Sequence, residues 1–179
     1  MILPTILVLA GLFSLFLLLY VVRGRRGGEN TSDLVAEIRP LDLEAFGNLT
    51  DANEEQFLRN NLSREEFRAV QRARLRAAVD YVVVITHNAT VLARWGEAAG
   101  RSQDPHIAQE GRKLVDNAAR LRLYSLLYLA KLYATIMLPG ASLSLGPLVD
   151  NYQRLKSIAG HLALLQQPRQ ASQLSAMLG

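Results

Sequence analysis

Residues 63–99 read SREEFRAVQRARLRAAVDYVVVITHNATVLARWGEAA, and this stretch decides the fold of the chain. Ser63 is followed three residues later by Glu66, a capping box that marks the start of a helix. Apolar residues then recur at helical spacing, and neither proline nor glycine interrupts them until Gly96. The middle of the stretch is apolar on almost every side, which is typical of a central helix with more than one neighbour. We therefore predict one helix from Arg64 to about Ala99.

Two more long helices are expected after this one. Asp104 is a good N-cap and Pro105 suits the first helical position, so a second helix begins there and runs to Pro139. Pro147 opens a third helix, which Pro168 ends. Because only a short turn separates the first two helices, we expect them to pair as an antiparallel hairpin. The predicted fold class is all-α: a transmembrane helix, then a bundle of three long helices with a short helical acidic arm.

The predicted organisation divides the chain into five segments. They are a transmembrane anchor (1–22), a basic glycine-rich linker (23–29), an acidic arm with short helices (30–62), the helical bundle (63–168) and a C-terminal tail (169–179). The arm is expected to contain a helical turn through Asp33–Ile38, a short helix that starts at Leu41 and another that starts at Thr50 or Asp51. It should form a partial fourth layer against the long helices.

The anchor is predicted from Ile2–Val22, which contains no charged side chain. A helix of about 21 residues is roughly 31 Å long, close to the hydrocarbon thickness of a bilayer. No basic region precedes the run, and the residues around Tyr20 make a poor cleavage site, so a retained anchor is favoured over a cleaved signal peptide. A buried core helix is the other alternative, but such helices seldom run this long without a polar face.

Three arginines directly after the anchor predict its orientation. Arg23, Arg25 and Arg26 follow the apolar run, whereas no lysine or arginine precedes it. The positive-inside tendency then places the C-terminal body in the cytoplasm, on a protein that crosses the cell membrane once. The same three arginines are candidate contacts for anionic lipid headgroups.

Four arginines spaced by four residues form a stripe on the first long helix. Arg64, Arg68, Arg72 and Arg76 share one side of that helix. They are candidates to bind lipid headgroups, RNA or an acidic partner, although no aromatic side chain interleaves them, so nucleic acid is not an expected partner. The alternative is intramolecular, because residues 29–58 carry eight acids against one arginine and could fold onto the stripe. Arg74 lies on the apolar side of the helix, and we expect it either to snorkel to the edge or to meet a buried carboxylate, for which the acidic arm is a candidate source.

The composition offers little for catalysis or for metal binding. The chain has no cysteine, which excludes disulfides, thiolate catalysis and cysteine-based metal sites. Its three histidines are far apart in sequence and lack metal-ligand spacing. His87 lies in a polar island of the first long helix, and ordinary hydrogen bonds are its expected role. Asp80 is expected to pair with Arg76. We predict neither enzyme activity nor a cofactor.

Leu123–Leu138 poses the remaining question, because these sixteen residues carry one charge, Lys131. Such a helix spans only about 24 Å, and a central lysine opposes insertion, so a buried bundle helix is preferred over membrane contact. Tyr124, Tyr128 and Tyr133 fit either a core or a ligand pocket.

The predicted function is protein interaction or scaffolding at the membrane by a non-enzymatic, single-pass protein. The alternative is binding of lipid or of a small apolar ligand by the bundle.

Overall fold

The computed structural model describes residues 36–49, 51–137 and 146–166, and within these ranges the regular structure is helical, without strands. The helices are α1 (Leu43–Asn48), α2 (Ala52–Asn61), α3 (Arg64–Ala99), α4 (Pro105–Met137) and α5 (Gly146–Gln166). An all-α fold with three long helices is therefore confirmed for this part of the chain. The predicted anchor, the linker with Arg23, Arg25 and Arg26, and the C-terminal tail lie outside the described residues.

Polar side chains begin the helices, as the sequence predicts. Ser63 accepts a hydrogen bond from the Glu66 backbone, and the Glu66 carboxylate accepts one from the Ser63 backbone N–H at 3.0 Å, which completes the capping box. Asp104 accepts from the His106 N–H at 2.8 Å and starts α4. Helix α1 begins at Leu43, two residues later than predicted, because the Asp42 side chain caps it. These caps satisfy N–H groups that a helix cannot pair internally.

Helices α3 and α4 form the predicted antiparallel hairpin, and two glycines let their backbones touch. A Cβ added at Gly111 would lie 2.6 Å from the Gly100 nitrogen and 2.7 Å from the Gly96 oxygen. A Cβ at Gly96 would lie 2.7 Å from the Gly111 oxygen. Only residues without a side chain allow the two helices to approach this closely.

Helix α5 covers one end of this hairpin. Its inward side chains are fully buried, and they are Leu148, Tyr152, Leu155, Ala159 and Leu162. The Trp95 indole N–H near the end of α3 donates to the Gln166 side chain at 2.9 Å, and Asn88 reaches Tyr152. These contacts bring α5 to the second half of α3, while most of the packing of α5 is against α4. Because α5 has 21 residues and α4 has 33, the far end of the hairpin extends beyond α5.

The acidic arm packs against α3 as a further layer. Ile38, Leu41 and Phe46 are buried, and the Phe46 ring stacks on Tyr81 with centroids 5.2 Å apart. The helices of the arm are short, so this packing, rather than helix propensity, accounts for most of their stability.

The expectation that Leu123–Leu138 is buried in the core is wrong for one side of α4. Leu132 is buried against the bundle, but Leu123 is 52% exposed, Leu127 is 49% exposed and Met137 is 81% exposed. The helix carries two apolar sides; α3 and α5 pack against one, and no other described helix covers the second. Among the described helices, none has both the length and the apolar character that crossing a bilayer requires.

Candidate functional site

The arginine stripe is a surface feature of α3. Arg64, Arg68, Arg72 and Arg76 are all exposed, and none of them forms an ion pair with another described residue. The expected pair between Arg76 and Asp80 is likewise not formed within this part of the chain. Over about 18 Å of helix, the stripe presents four cations to solvent.

Three carboxylates of the arm pair with arginines outside the stripe, and Asp42 and Asp51 cap helices instead. Glu54 pairs with Arg74 at 2.9 Å, Glu55 pairs with Arg59 at 2.8 Å, and Glu37 pairs with Arg94. Within the described residues the arm therefore does not neutralise the stripe. Arg74 does meet an arm carboxylate, but that carboxylate is half exposed and not buried as predicted.

Arg74 joins three elements of the fold. Its side chain is only 10% exposed. Its Nη2 donates both to the Asn48 carbonyl at 2.8 Å and to the Glu54 carboxylate at 2.9 Å. The end of α1 and the first turn of α2 are thereby attached to α3. Because Glu54 is half exposed, the pair itself adds little stability, and its main effect is to fix the position of the arm.

Asn88 is the buried polar centre of the molecule. Its side chain is fully buried; Oδ1 accepts from the Arg39 N–H at 2.9 Å, and Nδ2 donates to the Arg39 carbonyl at 2.8 Å. Nδ2 also donates to the Tyr152 hydroxyl at 2.9 Å. One amide side chain thus holds the arm, α3 and α5 together. Burial raises the pKa of the Tyr152 hydroxyl, while the bond to Asn88 opposes that shift.

His87 has a structural contact beside Asn88. Its Nε2 lies 3.0 Å from the Glu37 carbonyl, so the imidazole holds the arm as well. The ordinary hydrogen bond expected for His87 is found. The role of the polar island in binding the arm was missed, although an asparagine within an apolar helical stretch does signal a buried hydrogen-bond partner.

Side chains of α4 and α5 meet at the Glu110 carboxylate. Lys113 lies 2.7 Å from this carboxylate and His161 lies 3.7 Å from it. The hydrogen bond from Lys113 holds the pKa of Glu110 below its usual value. Across the described residues, no three acidic or histidine side chains converge as a metal site would require.

A second exposed surface lies along the outer side of α4, and we call it the α4 face. Its members are Arg120, Leu123, Tyr124, Leu127, Ala130, Lys131, Ala134 and Met137, all of them exposed. An open groove of about 520 Å³ runs along it between Tyr124 and Ala134. The Lys131 ammonium lies over the Tyr128 ring at 5.4 Å. Burial, and then the neighbouring Tyr124, raise the pKa of Tyr128.

The stripe and the α4 face lie toward the same end of the hairpin. Arg76 precedes Gly96 by 20 residues, and Lys131 follows Gly111 by 20 residues. Because α3 and α4 run in opposite directions from the glycine contact, Arg76 and Lys131 lie at about the same height along the hairpin.

Comparisons of this chain with protein-family models, with curated proteins and with solved structures give no match.

Proposed function

We propose that this chain is a non-enzymatic, single-pass membrane protein whose helical bundle binds an acidic partner protein. The apolar run Ile2–Val22 would serve as the anchor, and the three arginines after it would keep the body on the cytoplasmic side. The bundle would then act as a scaffold at the membrane face.

The observation that carries this proposal is the exposed arginine stripe. Like charges four residues apart destabilise a helix slightly, and within the described fold the stripe gains no compensating ion pair. Guanidinium groups bind carboxylates in a bidentate manner, and an acidic helix with the same spacing would match the stripe. Charge of this kind increases the rate and the specificity of association more than its affinity.

The polar groups inside the bundle favour a structural role. Asn88 and His87, the polar groups best placed for chemistry, both bind the backbone of the arm. Among the described residues, no carboxylate faces either side chain in the way that acid–base catalysis requires.

Site-specific crosslinking tests whether the stripe binds a partner. Because the chain has no cysteine, Ala69→Cys places a single photoactivatable label beside Arg68 and Arg72 without removing a charge. In native membranes we expect the label to form a protein adduct that weakens at high salt, since exposed charges are screened. Neutralising Arg68, Arg72 and Arg76 to glutamine should lower its yield by about tenfold, since three charged contacts are lost.

A matched variant controls for the loss of net charge. It carries the same number of arginine-to-glutamine changes at exposed positions away from the stripe, namely Arg101, Arg112 and Arg154. We expect its adduct yield to stay within about twofold of the parent, because distant exposed charges are screened. Equal losses in the two variants, or no loss in the stripe variant, would contradict a partner site on the stripe.

A further inference from the structure

We propose that the α4 face rests on the headgroup region of an anionic bilayer. This surface is separate from the arginine stripe. The inference rests on one part of the proposed function, namely that residues 2–22 hold the body at a membrane.

The first observation is the extent of the exposed apolar surface. The face runs from Arg120 to Met137, about 26 Å along one helix. Leu123, Leu127 and Met137 are each at least about half exposed, and the alanines between them leave the groove open. A contiguous apolar strip of this kind indicates a binding surface rather than ordinary solvent-exposed helix.

The second observation is the sign of the surrounding charge. Residues 117–149 contain no aspartate or glutamate. Arg120 and Lys131 are eleven residues apart, about three helical turns, so both lie on the same side of α4, toward the Tyr124 edge of the face. An apolar strip with cations and tyrosines is what a helix lying at an anionic membrane surface presents. Phosphates of the headgroups would pair with the two cations while the aliphatic side chains enter the acyl boundary.

The same charges disfavour a second copy of this chain as the occupant. A symmetric dimer centred on the face would bring Lys131 of each copy toward the other, and no carboxylate lies between Arg120 and Met137 to pair with either; the nearest acid, Asp116, lies one turn before Arg120. Buried like charges of this kind are costly. The charge pattern therefore selects an anionic partner surface, and a lipid bilayer supplies it together with an apolar phase.

Depth-dependent quenching tests the inference on the full chain. Leu127→Cys carries a fluorophore on the face, and Ser157→Cys carries the same fluorophore at an exposed position of α5. Each protein is reconstituted in vesicles of phosphatidylcholine with phosphatidylglycerol, containing nitroxide-labelled lipid. We expect at least about twofold stronger quenching at residue 127 than at residue 157, because only the face enters the lipid. Arg120→Glu with Lys131→Glu should reduce quenching at residue 127 to the level of the control.

Two readouts distinguish failure of the lipid contact at the α4 face from failure of the membrane anchor. Co-flotation of every variant with the vesicles reports the anchor alone, whereas quenching at residue 127 reports the face. Flotation with equal quenching at residues 127 and 157 would overturn the lipid contact and leave the anchor intact. Disulfide formation between two copies of the unlabelled Leu127→Cys protein under mild oxidation, with no lipid quenching in the labelled protein, would assign the face to a dimer and likewise overturn the inference. Pure phosphatidylcholine should give weaker quenching at residue 127, since anionic headgroups are then lacking.

Discussion

Replacing Gly111 with alanine is expected to destabilise the bundle by about 3 kcal/mol. The new Cβ would meet backbone atoms of α3 at 2.6 and 2.7 Å, and backbone, unlike a flexible side chain, cannot move aside. The two long helices would have to move apart at this glycine contact, which lies near the turn of the hairpin. Trp95, the one tryptophan of the chain, is buried beside this contact. Denaturant unfolding followed by its fluorescence in detergent micelles measures the change.

Gly160→Ala is the matched control for this experiment. Nothing lies within 4 Å of a Cβ at Gly160, which is also helical, so the added methyl group meets open space. Alanine has the higher helix propensity, and a gain of up to about 1 kcal/mol is expected. If Gly111→Ala were as stable as the parent, the close packing of α3 on α4 would be refuted.

Asn88→Ala is expected to cost about 2–4 kcal/mol and to release the arm from the bundle. The substitution leaves the Arg39 N–H, the Arg39 carbonyl and the Tyr152 hydroxyl without their partner, and buried polar groups are costly when unpaired. Proteolysis by a glutamate-specific protease provides the second readout, because cleavage after Glu37 or Glu44 requires the arm to open. We expect cleavage there to become at least about tenfold faster, since local opening costs less free energy.

Tyr152→Phe separates the arm contact from the α5 contact. It removes one of the three hydrogen bonds of Asn88 and leaves both bonds to Arg39 in place. A loss of about 1 kcal/mol, with the arm still protected from cleavage, is the expected result. Equal cleavage rates in the parent and in Asn88→Ala would show that the arm is held by other contacts.

The starts of the long helices could be predicted from the sequence because the signals that set them are local. Capping groups such as Ser63 and Asp104 act within one turn of their own helix, so the sequence alone locates the starts of α3 and α4. The glycine contact was not foreseen, because a glycine in a helical pattern shows where a close approach is possible but not which backbone makes it.

The surfaces were harder to predict because they depend on which elements become neighbours. Periodicity identifies the apolar sides of α4 but not which of them a second helix will cover, and the side with Leu127 stays exposed. Charge segregation favoured contact between the arm and basic residues. The arm binds Arg74 and Arg94 rather than the stripe, since these two arginines point toward the surface on which Ile38 and Phe46 pack.

Membrane extraction combined with proteolysis tests the central claim most directly. The full chain in native membranes is washed with alkaline carbonate, and intact right-side-out cells are treated with protease. A single-pass anchor at residues 2–22 predicts that the chain stays in the membrane pellet and that the body is protected in intact cells. Release of the chain into the carbonate supernatant would contradict the anchor, and digestion of the body from outside would contradict its cytoplasmic placement.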